Sequence, residues 1–394
     1  MHVLHVTLGF YPANGWGGPV KVVYDNGREL VRRGHRVTVY CTNLRDKKNK
    51  IRPGTFEQEI GGMRIVYHDT WHLPWWPGTL GPFWQPDLAA HLKGEIADFD
   101  VVHLNGYRSL MTLQVARIAR GAGIPLVVQP HGSLPIISNS LFLKRVYDWV
   151  LGSLELKSIS ALIAMEESER RQALGRGIPP GTIEVVPNGI DSRDRGQLPE
   201  PGSFRRRFGL DPDRRLILFL GRINKIKGTD MLIEAFARLG HLDAQLAIVG
   251  PDDGQLSEVR SLIQRYDLDL RVSLTGLATG SDVLAAYQDA DLYVLPSRSD
   301  AFPVTIMEAC LMGTPMVITD RCEIAYLVRD RIADVAPFDA DAFAAAMERL
   351  LTDRERYDRY RANCQEMLAH NFSIEAVVNR LEAVYRRVIA ERAK

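Results

Sequence analysis

Cysteine is scarce in this 394-residue chain: Cys41, Cys310, Cys322 and Cys364 stand singly, with no C-x-x-C pair. Single cysteines neither frame a disulfide scaffold nor build a metal cage; they suit a reducing compartment, as buried apolar residues. Long apolar runs are missing as well, none approaching the roughly 18 to 20 residues that span a bilayer. The N-terminal MHVLHVTLGFYPA has no basic lead, and His5, Thr7 and Gly9 break its apolar run. It reads as the first strand of a folded domain, not as a secretory leader. The expected location is the cytoplasm or the cytoplasmic face of a membrane. Compositional bias is also absent: 32 Gly and 21 Pro are close to average usage, which excludes collagen-like and low-complexity chains. A net charge of +1 leaves no surface-wide field for nucleic acid. What remains is an ordinary globular chain, 46% apolar and 25% charged, long enough for two domains.

Short β-rich runs alternate with longer helical patterns. In the first half the strand candidates are Val3 to Leu8, Arg36 to Cys41, Val101 to Leu104, Leu126 to Val128, Leu162 to Ala164 and Ile183 to Val186. Helical periodicity covers 19–33, 109–120, 140–157 and 167–174. Residues 191–215, rich in charge, Pro and Gly, read as a connection between domains. A second series of strands follows, at Leu216 to Leu220, Leu246 to Val249, Val272 to Thr275, Leu292 to Leu295 and Met316 to Ile318, with a helical tail after Asp339. Strand and helix in alternation predict an α/β chain of two doubly wound parallel-sheet domains, 1–190 and 191–372, facing across a cleft. Ligands of such sheets sit beyond the carboxyl ends of the strands.

In the second half, a strand ends in Gly221-Arg222, and Lys227-Gly228 precedes a helix beginning near Thr229. Cations beside the positive end of a helix dipole are disfavoured unless an anion joins them, and a diphosphate fits. Arg supplies a fork for two oxygens and Lys a point charge. The plainer alternative is a pair of surface cations facing water. The segment SRSDAFPVTIMEA, residues 297–309, leads from a strand into a helix near Pro303, a residue suited to a first turn. The free N–H groups of Val304, Thr305 and Ile306 can then receive phosphate oxygens. Glu308 lies roughly 7 to 8 Å further along the axis, the reach from a diphosphate to ribose hydroxyls. Asp300 faces whatever hangs from the diphosphate, or is simply an N-terminal cap.

In the first half, Asn14-Gly15-Trp16-Gly17-Gly18-Pro19 lies between the first strand and the first helix, where glycines admit close backbone approach. It lacks the G-x-G-x-x-G of nicotinamide and flavin sites. Gln129-Pro130-His131-Gly132 puts a histidine at the end of a strand, and Asn188-Gly189-Ile190-Asp191 reads as a turn at the hinge.

Taken in order, the Gly-Gly loop, His131-Gly132, Pro187-Asn188-Gly189-Ile190-Asp191, Gly221-Arg222 with Lys227-Gly228, and SRSDAFPVTIMEA resemble the family 4 retaining glycosyltransferases of two-domain GT-B architecture. The resemblance covers essentially the whole chain. It implies transfer of a sugar from a nucleotide diphosphate sugar to an acceptor hydroxyl with retained anomeric configuration, without a metal or other cofactor. It further implies that Arg222 and Lys227 stabilise the diphosphate, Glu308 binds ribose and Asp300 contacts the donor sugar. By the same resemblance Val304 and Thr305 lie near the phosphates, Gly17 and Gly18 approach from the other domain, and His131 bonds the sugar. A terminal helix, about 373–394, is expected to pack back on the first domain. Two residues depart from the family pattern: Asp300 replaces the usual Glu, and Pro303 stands where Gly is frequent.

Four of six tryptophans, Trp71, Trp75, Trp76 and Trp84, fall with Phe83 within residues 71–86. Aromatics broken by Pro and Gly mark a binding or membrane surface unless they form a buried loop. Residues 1–190 hold 21 basic against 16 acidic side chains, which suits an anionic membrane surface and a lipid-linked or growing-glycan acceptor. Competing readings are a nucleotide-sugar 2-epimerase of the same architecture, a hydrolase or phosphorylase, and a non-catalytic nucleotide-sugar binder. A glycoside hydrolase needs two carboxylates flanking the bond, whereas Glu308 is expected at the ribose.

Overall fold

A computed structural model describes residues 1–13, 18–46, 49–71, 84–134, 147–148, 156, 159–193, 199–278 and 280–392. The chain divides into two compact α/β units, one made of Met1–Gly189 with Ile374–Lys394 and the other of Ile190–Ser373.

The first unit carries strands β1 (His2–Thr7), β2 (Arg36–Thr42), β3 (Phe56–Ile60), β4 (Met63–His68), β5 (Val101–Asn105), β6 (Leu126–Gln129), β7 (Ala161–Ala164) and β8 (Ile183–Val185). Their order in the sheet is β3-β4-β2-β1-β5-β6-β7-β8. Every pairing is parallel except β3 with β4. Helices α1 (Gly18–Arg32), α2 (Leu88–Glu95), α3 (Leu110–Gly121) and α4 (Glu167–Leu174) connect them. Alternation along the strands sends side chains to two covered faces. Val3, Val39 and Val101 join one apolar cluster, and Leu4, Val102 and Leu104 join another with α2 and α3.

The second unit carries β9 (Arg215–Leu220), β10 (Ala244–Val249), β11 (Val272–Gly276), β12 (Leu292–Leu295), β13 (Met316–Thr319) and β14 (Ala333–Ala336). They form a wholly parallel sheet in the order β11-β10-β9-β12-β13-β14. Its helices are α5 (Ser203–Phe208), α6 (Thr229–Ala237), α7 (Leu256–Arg265), α8 (Ser281–Asp289), α9 (Val304–Met312), α10 (Ala325–Val328), α11 (Ala340–Thr352) and α12 (Arg354–Met367). The chain then returns to the first unit as α13 (Ile374–Arg392). There Val377, Val378, Leu381, Val384, Tyr385 and Val388 complete the cluster that contains Val3 and Val39. All four cysteines are buried and free.

Three local readings of the sequence need correction. Strands β3, β4 and β14 were not expected: Phe56–Ile60 is an edge strand exposed along most of its length, so it shows no alternation, and Ala333–Ala336 is short and alanine-rich. Residues 191–215 are not simply a connection. Residues 203–208 form α5, Phe204 is buried, and the Asp289 carboxylate accepts the N–H groups of Gly202, Phe204 and Arg205 at 2.6–3.1 Å. Gly189 is also more than a turn residue. Its φ is not positive, but a Cβ there would meet Val377 at 3.0 Å and the Ile374 backbone at 3.1 Å, so glycine lets α13 lie close. The expected helix over 140–157 falls outside the described residues except at Tyr147, Asp148 and Leu156.

Because α13 closes the core of the first unit, Leu381→Ala should cost about 2–5 kcal/mol. Urea unfolding followed on the first unit's signals would register that loss; an unchanged midpoint would mean that the helix contributes little.

Candidate functional site

The second sheet reverses its strand order beside β9, with β10 on one side and β12 on the other. In an open parallel sheet, this switch point is where a crevice forms at the strand ends. The loops after β9 and β12 meet there through glycine. Gly228 has φ +70°, and a Cβ on it would stand 2.0 Å from the Pro296 carbonyl oxygen. Gly250, after β10, has φ +150°, and its Cβ would stand 1.8 Å from the oxygen of Gly221. Gly221 itself donates its N–H to Val249 at 2.9 Å.

These close approaches gather charge. Lys227 forms an ion pair with Asp300, whose side chains are 20% and 15% exposed. The Ser297 hydroxyl is 3.5 Å from the same carboxylate oxygen. Arg222 reaches Asp253 at 2.7 Å. Asn224 donates to that carboxylate at 2.9 Å and accepts the Lys227 N–H at 3.0 Å. The structure thus brings Lys227 and Asp300 into direct contact and links Arg222 to this loop through Asp253 and Asn224.

Beyond Asp300 the chain enters α9. Pro303 is not in the first turn; with φ −69° and ψ 119° it is the residue before it, and no side chain caps the helix there. Its carbonyl accepts the N–H of Ile306 at 3.2 Å, so that N–H is already engaged. Val304 and Thr305 hold the first two helical positions, where N–H groups have no partner within the helix. Further along, Glu308 accepts a hydrogen bond from the Tyr287 hydroxyl at 3.1 Å. Burial, together with the Glu308 charge, pushes the Tyr287 phenol well above its usual pKa, so it stays a donor.

Sequence reasoning did not pick out the brace of this site. Arg298 makes two hydrogen bonds to Asp230, at 2.8 and 2.7 Å. It also donates to the Lys225 carbonyl at 2.6 Å and lies 4.6 Å over the Phe338 ring. Its backbone N–H donates to Ile226 at 2.7 Å. Burial alone would raise the Asp230 pKa, but the paired Arg298 holds it below the ordinary value. Only the charge of the SRSD segment hinted at this brace, because its partner lies 68 residues away.

In the first unit the corresponding switch lies between β1 and β5. His131 follows β6 with φ +53°, and Gly132 after it has φ +74°. His131 Nε2 is 3.3 Å from Asn105 Oδ1, and Asn105 Nδ2 is 3.1 Å from His5 Nδ1. The amide therefore accepts from His131 and donates to His5. His103, paired with His5 across β1 and β5, contacts the Tyr385 hydroxyl at 2.6 Å. Burial lowers the pKa of His131 to about 4. Burial first, then His131, lowers His5 to about 3, and burial first takes His103 well below its ordinary value. Another residue missed from sequence, Glu169, fixes this turn: its buried carboxylate accepts the N–H of Gly132 at 2.7 Å and of Met165 at 2.9 Å. Gly18 opens α1; Gly17 lies outside the described residues.

Three residues beyond β4, Trp71 pairs with Trp84 through two backbone hydrogen bonds of 2.8 and 2.9 Å, and the two are 69% and 48% exposed. Trp75, Trp76 and Phe83 lie outside the described residues. Among the described residues, no helix is long and apolar enough to cross a membrane.

Comparison with known proteins agrees with this architecture. The family model for Glycosyl transferases group 1 matches residues 202–367, and that for Glycosyltransferase Family 4 matches residues 16–194. D-inositol 3-phosphate glycosyltransferase 1 of Catenulispora acidiphila is 30% identical over 337 residues, covering 79% of this chain and 77% of that protein. Sucrose-phosphate synthase from Thermosynechococcus elongatus superposes with TM-score 0.77 at 19% identity, over 99% of each chain. Anabaena HepE, solved in complex with UDP-glucose, superposes with TM-score 0.76 at 17% identity, over 98% of this chain and 100% of that one.

The buried imidazoles predict acid sensitivity with a definite sign. Unfolded, each takes up a proton near pH 6.5; folded, His131 and His5 resist protonation down to about 4 and 3. Acid therefore favours the unfolded chain. Stability that is intact above pH 6.5 should fall as pH is lowered, by on the order of 2 kcal/mol per histidine at pH 5. Thermal unfolding midpoints recorded between pH 7.5 and 5 test this, and a flat profile would refute it.

Proposed function

Since the chain belongs to the family 4 glycosyltransferases, we propose that it moves a sugar from a nucleotide diphosphate sugar to an acceptor hydroxyl with retention of anomeric configuration. The observation that carries this reading is the junction at β9 and β12, where Lys227, Asp300 and the N-terminus of α9 converge, with Glu308 one turn further along. An incoming diphosphate displaces the carboxylates that now neutralise Lys227 and Arg222. Its oxygens take up the cations together with the N–H groups of Val304 and Thr305. In this reading Asp300, released, accepts a sugar hydroxyl, while Glu308, oriented by Tyr287, accepts the ribose hydroxyls.

Breaking the bond between the anomeric carbon and the diphosphate oxygen leaves negative charge on the phosphate and positive charge on the ring. Fixed cations at the phosphate stabilise that transition state more than the bound donor. They take the part played by a divalent metal in other transferases, so catalysis itself needs none. The acceptor oxygen attacks the same face, and the departing phosphate oxygen takes its proton. On the first unit His131 is assigned to the donor sugar. Its low pKa keeps it neutral, and Asn105 accepts from its Nε2, which leaves Nδ1 as a hydrogen-bond acceptor.

The acceptor is read as a lipid-linked or growing glycan of polysaccharide assembly, reached from the cytoplasmic side of a membrane. That reading is supported by exposed Trp71 and Trp84 and by the basic balance of residues 1–190.

Lys227→Ala and Arg222→Ala should each cut turnover about a hundredfold or more, with the product anomer retained and the rate unchanged by added Mg²⁺. Near-normal rates in both variants, or an inverted product by NMR, would overturn the assignment. Flotation with anionic liposomes should carry the protein upward at low salt and release it as salt rises; no flotation at low salt removes the membrane from this reading.

A further inference from the structure

A second polar cluster lies in the first unit and serves none of the roles above. His68 ends β4 and is fully buried. Its Nδ1 faces Asp87 Oδ2 at 3.1 Å, while its Nε2 has no hydrogen-bond partner among the described residues. Asp87 Oδ1 is likewise out of reach of solvent and without a partner. Asp87 stands immediately before α2, and His91 lies four residues on, so both project from one face of that helix toward the end of β4. The His68 and His91 rings are 5.4 Å apart, centroid to centroid. One ligand atom from each of His68, Asp87 and His91 lies within 4.8 Å of the others. Among the described residues this is the one such group of three.

We propose that His68, Asp87 and His91 bind a divalent transition metal, with zinc the best match to two imidazoles and a carboxylate. Ligand bonds of about 2 Å place tetrahedral ligand atoms about 3.3 Å apart, so binding draws the three side chains together. His91 gives up its contact with Glu95, now 3.2 Å, and water takes the fourth position. The site is structural. His68 and Asp87 flank residues 69–86, whose two ends are already held by the Thr70–Gln85 hydrogen bond at 3.4 Å and by the Trp71–Trp84 pair. A metal at the next rung fastens the base of that aromatic segment to α2. This inference does not depend on the sugar-transfer reading.

The test uses the full chain stripped of metal by chelator and dialysed, then titrated with Zn²⁺ alone by calorimetry and with Co²⁺ by visible absorption. One equivalent of Zn²⁺, a Co²⁺ spectrum typical of a four-coordinate site and a raised unfolding midpoint are expected. His91→Ala, at a partly exposed helix position, should weaken binding at least tenfold while circular dichroism and donor binding stay unchanged. Asp87→Asn, a near-isosteric change, should also weaken it. Absence of binding, or binding indifferent to both substitutions, would overturn the proposal, and neither result bears on the nucleotide site.

Discussion

The absence of a side chain at residue 228 governs the arrangement of the second unit's site. The loop after β9 lies against the end of β12 because nothing stands between Gly228 and the Pro296 carbonyl. Any Cβ there would meet backbone, which cannot swing aside as a side chain can. With the loops in contact, Lys227 comes within reach of Asp300 and Arg298 reaches across to Asp230. Gly250 makes the matching approach to Gly221 on the other side of β9. The shape of the main chain fixes the backbone from which these charges extend, and Lys227 and Arg222 are each neutralised there by a carboxylate.

The first unit spends stability differently. Its central strands β1 and β5 carry His5, His103 and Asn105 on the face that also bears Val3, Thr7 and Val101. Burying polar groups there is costly unless each finds a partner. Asn105 and Tyr385 supply two, and His5 Nε2 and His103 Nε2 lack one among the described residues. A sheet selected for stability alone would carry aliphatic side chains at these positions. The same arrangement leaves His131 neutral and held by the Asn105 amide.

The two-sheet architecture was legible because buried parallel strands are short apolar runs separated by helical periods, and both signals are local. Arg222, Lys227 and Asp300 stood out for a related reason: strand ends are visible in sequence, and a charged residue in the loop after one is conspicuous, whereas Glu308 was singled out by its distance along the helix that follows. What could not be read was pairing across distance. Nothing near Arg298 announces Asp230, and nothing near Gly132 announces Glu169. Gly189 looked like a turn because Asn-Gly usually is one, whereas its function is to admit a helix encoded nearly two hundred residues later. Strand β3 failed for the opposite reason, since an exposed edge strand has no buried face to impose a period. The His68, Asp87 and His91 group escaped notice because its spacing matches no short motif and one member comes from a strand.

The position of α13 in the chain also bears on how the protein is made. Residues 190–373 interrupt the first unit, and the helix that seals its apolar face is synthesised only after them. At about 5–20 residues per second, the nascent first sheet waits on the order of ten seconds or more with Val3, Val39 and Val101 lacking their cover. The second unit, contiguous in sequence, is fully synthesised before α13 begins. Of the two units, the one whose synthesis begins earlier is therefore the later to be completed, and its open face is where a chaperone has the longer opportunity to act.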